Sequence, residues 1–267
     1  MMKILAVADV FARAGRDTII NYLPDIIREY GVDMVIANGE NAAHGRGINP
    51  NCAEEMFGSG VDVITTGNHV WDNRSVFDLL EQNANVIVPA NLIQKHGNKG
   101  YVIYEKNGIR VGVINLIGKV YTNIDADCPF KTADKILETI RNDVDITVVD
   151  FHAEATSEKV AMGWYLDGRV SAVYGTHTHI QTADESILNK GTGYITDVGM
   201  TGPVYSVLGM ERDVVINRFL GKNSGRFEPA DGCCQINAAL FDIEPKTGKT
   251  QSVVRIFRKM PRGVQRH

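Results

Sequence analysis

The sequence predicts an α/β protein, and three observations predict it. Short apolar runs alternate with longer amphipathic stretches through the first half of the chain. A hairpin signal at Lys106-Asn107-Gly108 then breaks that rhythm, and the chain ends in strands around a Pro245-Lys246-Thr247-Gly248 turn. A βαβα rhythm implies a sheet whose strands are joined by helical crossovers. With 44% hydrophobic and 22% charged residues among 267 and a net charge of −4, the composition is that of an ordinary globular protein. Disordered, collagen-like and coiled-coil classes are excluded on that ground.

Lys3 to Ala8 reads as a buried strand. Ile19, Ile20, Leu23, Ile26, Ile27 and Tyr30 recur at three- and four-residue spacing, the mark of a helix with one apolar face, and Pro24 is expected to kink it. Asp33 to Ala37 and Val61 to Thr66 are further strands, separated by a helix opening at Asn49-Pro50 and running through Phe57 and followed by another around Val76 to Glu81. Tyr101 to Tyr104 and Arg110 to Leu116 form the hairpin. A helix marked by Ala133, Ile136, Leu137 and Ile140 precedes strands at Asp145 to Asp150 and Ser171 to Tyr174, with a helix from Ser157 to about Leu166 between them. Beyond Tyr194 only strands are read, ending in Gln235 to Ile243 and Ser252 to Phe257. With no linker, low-complexity run or internal repeat, one domain over residues 1–267 is expected.

The apolar stretch Ile4 to Ala8 is cut by Asp9, too short for a signal-peptide core or a membrane span. Cys52, Cys128, Cys233 and Cys234 form no C-x-x-C pair, which argues against zinc-finger and iron–sulfur sites and for a reduced, cytoplasmic setting. Net acidity gives no general attraction to nucleic acid.

Chemistry-bearing residues gather at predicted strand ends. Asp9, the pair Glu40-Asn41, the pair Asn68-His69, His152, and His177 with His179 each follow a strand. Ligands bind at the carboxyl ends of strands in α/β sheets. Taken singly, each has a structural reading: Asp9 as a turn residue, Asn68 as a helix cap, His152 as a satisfied core histidine. Five strand ends carrying such residues together are a poor accident. His177 and His179, two apart in a strand-like segment, would face one side and grip metal together. Imidazole, carboxylate and amide donors without thiolate suit iron, manganese, zinc or nickel, and Glu40 can bridge two cations.

Asp9, Gly39-Glu40-Asn41, Gly67-Asn68-His69, His152 and Gly175-Thr176-His177-Thr178-His179 resemble, in order and spacing, the metallophosphoesterase (calcineurin-like) superfamily. The longer runs Gly39 to Gly45, Asp150 to Lys159 and Thr196 to Pro203 resemble its YmdB-like phosphodiesterases. That resemblance implies a four-layer αββα sandwich with two transition-metal ions, iron foremost and manganese or zinc as alternatives. It implies Asp9 and His179, with Asn41 nearby, at the first ion and Asn68, His152 and His177 at the second, with Glu40 bridging. His69 is then the proton donor or phosphate contact, and the substrate a 2′,3′- or 3′,5′-cyclic nucleotide or other phosphodiester.

In the mechanism so implied, a hydroxide shared by the ions attacks phosphorus. Asp150 and Asp197 are candidates to orient ligand imidazoles, and turn or cap residues otherwise. Where the superfamily has a glycine-rich turn, this chain reads Val10-Phe11-Ala12-Arg13-Ala14-Gly15-Arg16. Its side chains either narrow the approach to the first ion or, through Arg13, clamp phosphate. His44, His96 and His267 are given no role. A phosphomonoesterase with the same centre, and a metal-dependent nucleotide- or RNA-binding regulator, are the competing readings. The basic tail Arg255, Arg258, Lys259, Arg262 and Arg266 leaves RNA contact and homo-oligomer formation open.

Overall fold

The structure is a computed structural model that describes residues 1–93, 96–223 and 225–260. The tail residues Arg262, Arg266 and His267 lie outside them. In chain order, β1 (Met2–Val7) and β2 (Asp9–Val10) precede α1 (Ala12–Tyr30), β3 (Met34–Asn38), α2 (Pro50–Gly58), β4 (Val63–Thr65), α3 (Val76–Gln82) and β5 (Val86–Ile87). The hairpin β6 (Tyr101–Lys106) and β7 (Ile109–Ile117) leads to α4 (Pro129–Ile140), β8 (Ile146–His152), α5 (Thr156–Leu166) and β9 (Ala172–Thr176). Then come β10 (Ser186–Ile187), β11 (Gly193–Ile195), β12 (Met200–Pro203), α6 (Arg212–Phe219), β13 (Cys234–Glu244) and β14 (Lys249–Met260).

The strands form two sheets. The first runs β2-β12-β13-β1-β3-β4-β5, with β14 also paired to β13; the second runs β10-β11-β9-β8-β7-β6. Strands β1, β3, β4 and β5 pair in parallel, as do β7, β8, β9 and β11. Side-chain alternation builds the layers. On β1, Met2, Ile4 and Ala6 turn inward to meet Val111, Val113, Ile146, Val148 and Tyr174 of the second sheet, while Leu5 and Val7 turn outward to Ile19, Leu23 and Ile26 of α1 and to Met56 of α2. On the far side, Ile114, Leu116, Val149 and Phe151 receive Ala133, Ile136 and Ile140 of α4 and Met162 of α5. Helices outside two face-to-face sheets give the four layers that the resemblance implies.

Local chemistry sets the helix ends. Asn49 caps α2 by accepting the Cys52 backbone N–H at 2.9 Å, with Pro50 at the first turn where no donor is needed. Gly31 closes α1 in the left-handed region at φ 61°. Helix α1 starts at Ala12, earlier than its apolar periodicity predicts, and continues through Pro24 to Tyr30. Helix α6 departs from the expectation of strands alone beyond Tyr194. Only Val215 of its eight residues is buried, so it carries no apolar stripe for periodicity to detect. Among the described residues no helix is long and apolar enough to cross a membrane. On β14, Arg255 pairs with Glu185 and Arg258 with Glu29.

Candidate metal centre

The predicted donors come together. Asp9 opens β2, Glu40 and Asn41 follow β3, Asn68 follows β4, His152 ends β8, and His177 and His179 follow β9. They fall into two groups of mutually close ligand atoms that share one carboxylate: Glu40, His152 and His177 in one, Asp9, Glu40 and His179 in the other. The close approach requires Gly67, where a Cβ would stand 2.3 Å from both Glu40 Oε2 and His152 Nε2.

His152 Nε2 lies 3.1 Å from Glu40 Oε1, 2.9 Å from Asn68 Oδ1 and 3.0 Å from His177 Nδ1. His179 Nε2 lies 3.2 Å from Asn41 Oδ1 and 3.7 Å from Asp9 Oδ2. His177 and His179 are not extended as their spacing predicts. Both take positive φ, 97° and 63°, and the pair divides between the two groups instead of gripping one point. Asp9 Oδ2 also accepts the His177 backbone N–H at 2.9 Å, which helps hold that turn.

The outer partners of these groups dictate what faces inward. The Leu208 carbonyl can only accept, so at 3.1 Å it fixes the proton of His179 on Nδ1 and leaves Nε2 as a lone pair. Asn41 Nδ2 donates to the Gly45 carbonyl at 3.1 Å, which turns its oxygen toward that lone pair. Thr176 Oγ1 donates to Asp150 at 2.7 Å and therefore accepts from His152 Nδ1 at 2.9 Å. Glu154, 3.0 Å from His177 Nε2, holds the proton of His177 on its outer nitrogen. The interior is thus a set of acceptors facing acceptors, and the fully buried Asp9 Oδ1 has no hydrogen-bond partner among the described residues. Such an array calls for positive charge. Nitrogen and oxygen donors without a thiol fit a first-row transition cation.

The electrostatics agree. Burial pushes the Asp9 carboxyl well above its ordinary range, against the pull of His152. Burial also opposes the charge on Glu40, but the neighbouring histidines, His152 foremost, bring its pKa down to about 2. His152 is disfavoured by burial yet held up at about 9, by Glu40 foremost and then by Asp9, its Nε2 lying 3.1 Å from the Glu40 carboxylate. Burial, and then the charge of His152, drives His177 down to about 3. Burial likewise lowers His179.

An open cavity of about 270 Å³ reaches the centre, with Glu40, Asn41, His69, His177 and His179 in its wall. His69 is partly exposed, its Nδ1 2.9 Å from Asp72 Oδ2 and its backbone N–H donated to Glu40 at 3.2 Å. Phe11 is buried beside the first group and lines the cavity, edge-on to His179 with ring centroids 5.8 Å apart. Arg13 does not line the cavity; it lies on the exposed face of α1, 3.5 Å from Asp17. Asp150 orients His152 at one remove, through Thr176. Asp197 contacts no imidazole among the described residues and binds the backbone N–H and hydroxyl of Thr178, between His177 and His179. His96 packs against the rings of Trp71 and Phe77, away from the cavity wall.

Sequence reasoning missed Glu154, Leu208 and Thr176. Glu154 sits inside a motif noted for other reasons, two residues past His152, and that proximity was its only signal. Leu208 acts through its carbonyl, which no side-chain pattern reveals.

Similarity to known proteins extends over nearly the whole chain. The chain matches the YmdB-like protein family over residues 5–256. It is 44% identical over 256 residues to a Bacillus subtilis protein named 2′,3′-cyclic-nucleotide 2′-phosphodiesterase, covering 96% of this chain and 97% of that one. A solved structure described as a novel phosphatase from Mycoplasma pneumoniae superposes with a TM-score of 0.91 at 34% identity, covering 98% of this chain and 94% of the other. A hypothetical protein from Thermus thermophilus does so with a TM-score of 0.90 at 39% identity, covering 97% and 100%. This chain therefore belongs to the YmdB-like family.

Proposed function

We propose that this protein is a metal-dependent phosphodiesterase acting on 2′,3′-cyclic nucleotides, its two cations held within a single domain over residues 1–267. Asp9, Asn41 and His179 would hold one ion, Asn68, His152 and His177 the other, and Glu40 would span both. The observation that carries this reading is the pair of donor groups sharing Glu40, with lone pairs turned inward by fixed outer partners. The substrate class is supported by the name of the Bacillus subtilis relative. The donor set suits iron, manganese or zinc, and the family resemblance puts iron foremost. Four free cysteines support a reducing cytoplasmic setting.

Such ions, when bound, lower the pKa of coordinated water toward about 7 and draw charge from a phosphoryl oxygen. The remaining work falls to side chains of this chain. His69 lines the cavity with its Nδ1–H turned to Asp72, so that in the imidazolium form, whose charge Asp72 faces, the Nε2 proton goes to the departing ribose oxygen and leaves a neutral ring. Asp72 keeps that ring in one orientation. Phe11 keeps water from the His179 side of the first group.

The test is turnover by metal-loaded protein of 2′,3′-cyclic against 3′,5′-cyclic nucleotides, and of bis-p-nitrophenyl phosphate against p-nitrophenyl phosphate. Preference for the 2′,3′-cyclic compounds and the diester supports the proposal. Preference for the monoester would replace it with a phosphomonoesterase.

A further inference from the structure

We propose that Arg46 is the side chain that grips the substrate phosphate, a role resting on the phosphodiesterase reading above. Among the described residues Arg46 is the one permanently charged cation in the wall of the cavity, and it is exposed. Three cations of neighbouring elements are committed elsewhere and do not line the cavity. Arg13 pairs with Asp17 on the outer face of α1; Arg16 binds Glu55 at 2.5 Å and the Ala42 carbonyl; Lys159 is buried against Asp197. Among the described residues the Arg46 guanidinium has no hydrogen-bond or ion-pair partner. It faces a cavity whose other charged wall groups are the acids Glu40 and Glu154, which repel an anionic ester.

The backbone under Arg46 is built to hold it in place. Gly45 and Gly47 flank it at φ 85° and 72°, conformations that glycine adopts without strain. The Arg46 N–H donates to the Ala43 carbonyl at 2.9 Å, and the Ala43 N–H to the Gly47 carbonyl at 2.8 Å. Asn41 ties the turn to the centre, with Oδ1 facing His179 and Nδ2 donating to the carbonyl of Gly45. On its other side, a Cβ at Gly47 would stand 3.2 Å from the His69 carbonyl. The turn that presents Arg46 is therefore packed between a donor of the centre and the loop of the proton donor. A guanidinium so placed can give two parallel N–H donors to the non-bridging oxygens of a phosphodiester.

The experiment compares Arg46→Ala and Arg46→Lys with the wild type, all metal-loaded, in steady-state turnover of a 2′,3′-cyclic nucleotide and in calorimetric binding of inorganic phosphate. Arg46→Ala is expected to raise KM and weaken phosphate binding by about 10- to 100-fold, the range of a charge-assisted contact. Metal content and Tm stay at wild-type values, and Arg46→Lys recovers part of the loss because charge returns without the fork. KM and phosphate affinity within twofold of wild type in Arg46→Ala overturn the role. A wild type that binds phosphate through Arg46 yet cleaves no diester keeps the grip and removes the diesterase reading instead.

Discussion

Lys159 Nζ stands 2.6 Å from Asp197 Oδ2, with the two side chains only 2% and 1% exposed. The same carboxylate accepts the backbone N–H of Thr178 at 3.2 Å and its hydroxyl at 2.6 Å. The ion pair therefore anchors the residue that separates His177 from His179. Lys159→Ala strips Asp197 of its counter-ion in a dry setting and is expected to cost about 3–5 kcal/mol of stability. Urea denaturation of the metal-loaded protein checks this. Lys159→Met combined with Asp197→Asn removes both charges and should lose less than the sum of the single changes.

Glu154 acts on His177 from the side away from the centre. Glu154→Ala frees the outer nitrogen of His177, so the ring is no longer held in the tautomer that points Nδ1 inward. Metal affinity should fall by about 10- to 100-fold, while kcat at saturating metal changes far less. Competition with a chromogenic chelator measures the first and turnover the second.

His69 and His152 are expected to separate chemistry from binding. His69→Ala keeps both cations and loses about 10²–10⁴ in kcat. His152→Ala, which removes a donor from the buried core of the centre, loses metal. Elemental analysis beside kinetics on the two variants distinguishes them, and full activity in His69→Ala would remove its role.

Asp9 gives a prediction whose sign reverses with metal. Its Oδ1 is buried without a partner among the described residues, so in protein stripped by a chelator the carboxylate is a liability. Metal-free Asp9→Asn should therefore melt at a higher temperature than metal-free wild type. With metal present, the order inverts because the wild type alone keeps that anionic donor. Thermal denaturation of both proteins with and without chelator reads the crossing.

The centre was legible in the sequence to the extent that its donors are side chains at strand ends. Asp9, Glu40 and His152 announce themselves because a charged or imidazole group follows a run of apolar residues. The direction of each ring was not legible. It is set by the Leu208 carbonyl, the Thr176 hydroxyl and Glu154, and hydrogen bonds across the fold leave no periodic trace. The positive φ of His177 and His179 was hidden for a related reason: a turn held by Asp9, far away in sequence, overrides the extended reading of an alternating stretch. In the fold, β1 was readable as a short apolar run and α1 from its apolar period. The two-residue β5 is too short for any period, and α6 hides because its face is mostly exposed.

The most direct test of the account is the metal stoichiometry of anaerobically purified protein titrated with iron(II), read by elemental analysis beside hydrolysis of a 2′,3′-cyclic nucleotide. The account predicts about two ions per chain, with hydrolysis rising as they bind and disappearing on chelation. Hydrolysis undiminished in metal-free protein, or no ion retained at the Glu40 centre, would contradict it.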